Sequence, residues 1–166
     1  ILANENIPSF IVSAQENTWD VTLQIQETSG KKATLVLGAS PNASDAQDDL
    51  DRPEPPAPPE ISYVRAWFTT SLPTPFNRLL REYKHIPSEQ MEWNFSILWV
   101  SEQENTSRTT INISWNQTQI QQSSINSFQL YENNTVVADM LTTSFFSFSS
   151  DGTLHRFNIQ AHSISQ

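Results

Sequence analysis

The sequence predicts an all-β protein, a sandwich of about eight or nine short antiparallel strands. Three observations carry this. Apolar and polar residues alternate with a period of two along most of the chain, as they must where one face of a strand is buried and the other is wet. Turn residues punctuate these runs at roughly ten-residue intervals. No stretch holds the period of a convincing amphipathic helix. The nearest approaches are Arg78–Lys84, with Leu79, Leu80 and Tyr83 on one side, and Gln117–Ser123.

The elements follow in order. Trp19, Val21, Leu23 and Ile25 alternate with Asp20, Thr22, Gln24 and Gln26, a half-buried strand. Thr28-Ser29-Gly30-Lys31 is a tight turn, and Ala33–Leu37 returns as the hairpin partner, ending near Gly38. Ile61–Phe68 is a strand with Tyr63, Arg65 and Trp67 on one face and Val64, Ala66 and Phe68 on the other. Trp93, Phe95, Ile97 and Trp99 mark the clearest strand, and Ile111, Ile113 and Trp115 obey the same rule. Phe128 and Leu130 begin another, which Val136 and Val137 continue after an Asn133-Asn134 turn. Phe145–Phe148, a Ser150-Asp151-Gly152 turn and the run His155, Phe157, Ile159, Ala161 complete the set. This parity places Trp93, Trp99 and Trp115 in the core rather than on a sugar-stacking surface. Short strands so arranged read as an immunoglobulin-like sandwich over residues 19–166, with residues 1–18 as an N-terminal arm or first strand.

Composition narrows the function. The chain has 166 residues, enough to bury a core without staples. A net charge of −9 with scattered basic residues excludes a nucleic-acid surface and argues against an anionic membrane partner. No apolar run is long enough to span a bilayer. There is no cysteine, hence no disulfide and no thiolate chemistry. The chain begins with Ile1, as a mature product or a cut fragment would. Asn-x-Ser/Thr sequons occur at Asn42, Asn94, Asn105, Asn112, Asn116 and Asn133. Composition alone predicts about three, so they point to a glycosylated, extracellular chain. Parity turns Asn94, Asn112 and Asn116 outward, where a glycan can sit.

Residues 39–60 are an acidic, proline-rich strap. Asp45, Asp48, Asp49 and Asp51 are packed into seven positions. Such a loop is either solvated or a calcium site, since calcium takes six to eight oxygen ligands on flexible loops. It lacks the spacing of an EF-hand. Arg52–Pro59 then favours extended polyproline geometry, which suits a strap crossing between sheets. The apolar run Phe10-Ile11-Val12 is either an ordinary strand or an arm that adds to a neighbour's sheet.

The order Gly38-x4-Ala43-Ser44-Asp45-x2-Asp48, then Asp51-x-Pro53-Glu54-Pro55-Pro56-x-Pro58-Pro59, resembles a segment of immunoglobulin-like domains in secreted and cell-surface prokaryotic proteins. The resemblance continues through Trp67-Phe68, Glu92–Phe95 and Thr110–Trp115, and covers Trp19 to Ala161. Ala46 departs from it, where the pattern has glycine and a tight turn. The resemblance implies an extracellular β-sandwich and no activity.

Nothing in the sequence points to catalysis. His85, His155 and His162 form no zinc-binding pattern, and there is no nucleophile elbow or phosphate loop. A carboxylate pair such as Glu82 with Glu92 has no positive support as a glycosidase centre. The expected role is a structural subunit of an extracellular filament, pilus or surface layer, with copies of itself as partners. The alternative is an accessory domain that binds carbohydrate, cell wall or protein.

Overall fold

The computed structural model describes residues 17–102 and 108–163. Among these residues the protein is all-β, with eleven strands and one short helix. The strands are β1 (Trp19–Glu27), β2 (Lys32–Ser40), β3 (Arg52–Pro53), β4 (Tyr63–Thr69), β5 (Arg78–His85), β6 (Gln90–Val100), β7 (Thr109–Trp115), β8 (Ser127–Glu132), β9 (Thr135–Asp139), β10 (Phe145–Ser150) and β11 (His155–His162). Helix α1 (Gln117–Gln122) lies between β7 and β8.

The hydrogen-bonded path runs β10-β7-β1-β2-β5-β4-β6-β11-β8-β9, with β3 attached to β5. Strand β5 joins the two halves of this path. Its C-terminal part, Arg81–His85, pairs with β2, whereas Arg78 and Leu79 pair with β4. The path thereby folds back on itself at β5, and its two halves face each other. Trp19 of β1 meets Trp93 of β6 and Phe128 of β8 at centroid distances of 6.0 and 5.9 Å. Phe148 of β10 meets Phe157 of β11 at 5.1 Å. Edge-to-face and tilted contacts of this kind suit the aromatic quadrupole. The result is barrel-like, one sheet closed over an aromatic core, rather than two separate immunoglobulin sheets.

Alternation explains most elements. In β1, Trp19, Val21, Leu23 and Ile25 are buried and the residues between them are not. Trp93, Trp99 and Trp115 are all buried, as parity requires. The Trp115 indole donates to the carbonyls of Met140 and Thr143, at 3.2 and 2.7 Å. Helix α1 forms over the Gln117–Ser123 candidate: Asn116 caps its first turn and Ile120 anchors it in the core.

Two expectations are corrected. Arg78–Lys84 is strand β5, not a helix: Leu79 and Tyr83 are buried as strand alternates, and two neighbouring strands supply the backbone partners. The sheet is not wholly antiparallel, because β2 and β5 run parallel. Within the strap, Arg52 and Pro53 form β3 against β5.

Gly38 and Tyr83 are opposite each other across β2 and β5, and Gly38 also faces Asp20 of β1. The Tyr83 ring lies over Gly38, and its hydroxyl donates to Asp20 Oδ2 at 2.6 Å. A β-carbon on residue 38 would stand 2.5 Å from Tyr83 Cε1 and 2.7 Å from the Trp19 carbonyl oxygen. Glycine is therefore required there for close approach.

Candidate functional site

The acidic strap is fastened to β5 by polar contacts. Asp48 accepts the Ser44 N–H at 2.8 Å and the Leu50 N–H at 2.7 Å. Asp51 accepts the Tyr83 N–H at 3.2 Å, and Arg81 Nε donates to the Leu50 carbonyl at 2.6 Å. Further along, the buried Glu54 carboxylate meets Arg65 at 2.6 Å and Arg78 at 3.6 Å. The Arg78 guanidinium in turn lies 3.5 Å from the Trp67 ring centroid, a cation–π stack that covers the indole.

The four aspartates proposed for calcium fall into two groups. Asp45 and Asp51 line a cleft of about 310 Å³ with Glu82, Lys84, Asn94 and Thr70. Asp48 and Asp49 are outside that lining, and Asp48 is engaged by the loop's own backbone. Among the described residues no group of three or more His, Asp or Glu is placed to hold a metal ion.

Electrostatics in the cleft follow from burial. Glu82 is buried, and loss of solvent pushes its carboxyl up. Its Oε1 meets Lys84 Nζ at 2.7 Å, which opposes the shift, while Asp51 adds to it. Asp51 is raised for the same first reason, with the Tyr83 N–H opposing and the charge of Asp48 reinforcing. Burial, then the bond to Asp20, pushes the Tyr83 hydroxyl up to about 12. Sequence reasoning did not bring Glu82, Lys84 and Tyr83 together, because Arg78–Lys84 suits a short helix as well as a strand.

Two of the three histidines have ring partners. His85 Nδ1 is 2.8 Å from the Ala43 carbonyl, and His155 Nδ1 is 3.1 Å from Glu132. The His155 ring packs against Phe148 at 4.7 Å.

Five of the six sequons fall on described residues. Asn42, Asn94, Asn116 and Asn133 are exposed, and Asn112 is half-buried. Asn94 Oδ1 accepts from Asn158, Asn112 Oδ1 from Ser147, and Asn116 Oδ1 from the Thr118 N–H that it caps. Asn105 and the apolar run Phe10, Ile11 and Val12 lie outside the described residues.

The ends of the sheet path are β10 and β9, each paired on one side only. Strand β10 reads FFSFSS, without a charge or a proline. It turns Phe148 inward and leaves Phe145 59% exposed. Strand β9 leaves Val136 46% exposed. Among the described residues all five tryptophans are buried, so no indole platform faces solvent.

These features define an all-β, barrel-like protein with an acidic strap and two open sheet edges. Comparison with protein-family models, with curated proteins and with solved structures gave no match.

Proposed function

We propose that this chain is a structural subunit of an extracellular assembly, joined to copies of itself by strand addition at the β10 edge. One observation carries the reading: among the described residues β10 is hydrogen-bonded on one side only and carries no charge, proline or bulge to discourage pairing. Edge strands are ordinarily blunted by charge, proline, bulges or a covering segment. Strand β10 has no charged residue and no proline, and it presents the exposed Phe145. Its lack of charge matters in a chain of net charge −9, whose copies repel one another overall.

The incoming strand in this reading is the apolar Phe10-Ile11-Val12 segment of the next copy. One donor and one acceptor per subunit make a head-to-tail contact, which propagates as an open filament. The sequons and the resemblance to exported domains support an extracellular setting. The burial of Trp67 beneath Arg78 favours assembly over an accessory carbohydrate-binding role, because sugar stacking needs an uncovered ring.

The test is a Phe145→Lys variant of the full chain, compared with wild type by light scattering and negative-stain electron microscopy. The wild type should form concentration-dependent, elongated particles. The variant should keep the far-ultraviolet signature of the fold and stay monomeric. Equal assembly by both proteins, or a monomeric wild type at high concentration, would refute the proposal.

A further inference from the structure

The two ends of the sheet path differ in what precedes them. Strand β9 is entered from a two-residue turn: Glu132 pairs with Thr135, and Asn133 and Asn134 between them have φ of 48° and 64°. Two consecutive positive φ values mark the mirror-image turn that matches strand twist, and asparagine tolerates that region. The same three residues, Asn133-Asn134-Thr135, are a sequon. Asn133 and Thr135 are both exposed, and no described residue bonds the Asn133 side chain. The other placements are less open. The amide oxygens of Asn94, Asn112 and Asn116 accept bonds that fix those side chains, and Asn42 follows β2, an interior strand of the path.

We infer that Asn133 carries an N-linked glycan, and that this sugar shields the β9 edge from strand pairing. The donor is a lipid-linked oligosaccharide. Asn133 Nδ2 bonds to the anomeric carbon as the bond from that carbon to the donor's phosphate oxygen breaks. The phosphate leaves with the electron pair, and the amide nitrogen gives one proton to a base of the transferring enzyme. A bulky, hydrated chain fixed at the residue pair that opens β9 obstructs an incoming strand and covers Val136, which is otherwise 46% exposed. The sequon nearest the β10 edge is Asn112, a half-buried residue whose amide oxygen accepts from Ser147. Glycosylation thus leaves β10 as the single acceptor edge. The edge-shielding half of this inference rests on the assembly reading above; occupancy of Asn133 does not.

The experiment exports the full chain from an N-glycosylating host as wild type, Thr135→Ala and Thr135→Ser. Glycopeptide mass mapping should find sugar on Asn133 in wild type and Thr135→Ser, which keeps the sequon, and its loss in Thr135→Ala. Light scattering should then show larger, laterally associated particles for Thr135→Ala only. Bare Asn133 in the wild type overturns the site. An occupied Asn133 with equal particle sizes for all three overturns the shielding role. If all three are monomeric, shielding falls together with the assembly reading, and the mass map still decides the site.

Discussion

Gly38→Ala tests the contact on which the β1-β2-β5 region is built. The added methyl would sit 2.5 Å from Tyr83 Cε1 and 2.7 Å from the Trp19 carbonyl oxygen. Neither separation is tolerable, so the ring and the backbone beside Trp19 must both shift. Overpacking of this kind costs about 1–3 kcal/mol. A displaced ring also loses the 2.6 Å bond from Tyr83 to Asp20. Asp20 is exposed and is rehydrated when the bond breaks, so that loss is about 1 kcal/mol. The sum is about 2–4 kcal/mol, or roughly 5–15 °C in Tm for a domain of this size. Urea unfolding of wild type, Gly38→Ala, Tyr83→Phe and the double variant measures both parts. Tyr83→Phe should cost about 1 kcal/mol, and the double variant less than the sum of the singles, because they share one contact. A Gly38→Ala protein within about 0.5 kcal/mol of wild type would refute the reasoning.

Two further perturbations follow from buried charge. Burial would raise the Glu27 carboxyl, but bonds from Ser29 and Thr109 and the charge of Lys31 outweigh it and hold the group below its ordinary value of 4.5. A depressed carboxyl stabilises the fold above that value and loses its contribution as pH falls through the folded one. Urea midpoints of wild type should therefore drop below pH 4.5 more steeply than those of Glu27→Gln, and parallel pH profiles would contradict this. Glu54→Ala should cost about 1–2 kcal/mol, less than a fully buried pair, because Arg65 and Arg78 keep access to water. Its Trp67 fluorescence should change as Arg78 loses its anchor, and an unaltered spectrum and stability would show that Glu54 does not position that stack.

The strands were legible because burial on one face imposes a period of two, and Trp19 to Ile25 or Trp93 to Trp99 admit no other reading. Extending the same parity one step beyond Ile25 predicts the buried Glu27, which alternation places inside despite its charge. The segment Arg-Leu-Leu-Arg-Glu-Tyr was ambiguous, since Leu79, Leu80 and Tyr83 suit one turn of helix as well as a strand. Its partners Val36 and Phe68 decide the matter, and they are distant in sequence. Strand order was not legible for the same reason. The cleft depends on that order, because Asp51 and Glu82 meet only once the strap is laid along β5. The fate of the aspartates was hidden differently: carboxylates that bond their own loop and carboxylates that hold an ion have the same composition.

The shared strand β5 has a mechanical consequence. It is the hydrogen-bonded bridge between the two halves of the path, with five residue pairs to β2 and two to β4. Tension applied between β10 and β9 converges on it, together with the aromatic contacts across the core. The seam to β4 is the shorter one and opens first, peeling β4 away while β5 stays zipped to β2. The strap, tied to both strands through Glu54 and its arginines, then acts as a tether that limits the extension.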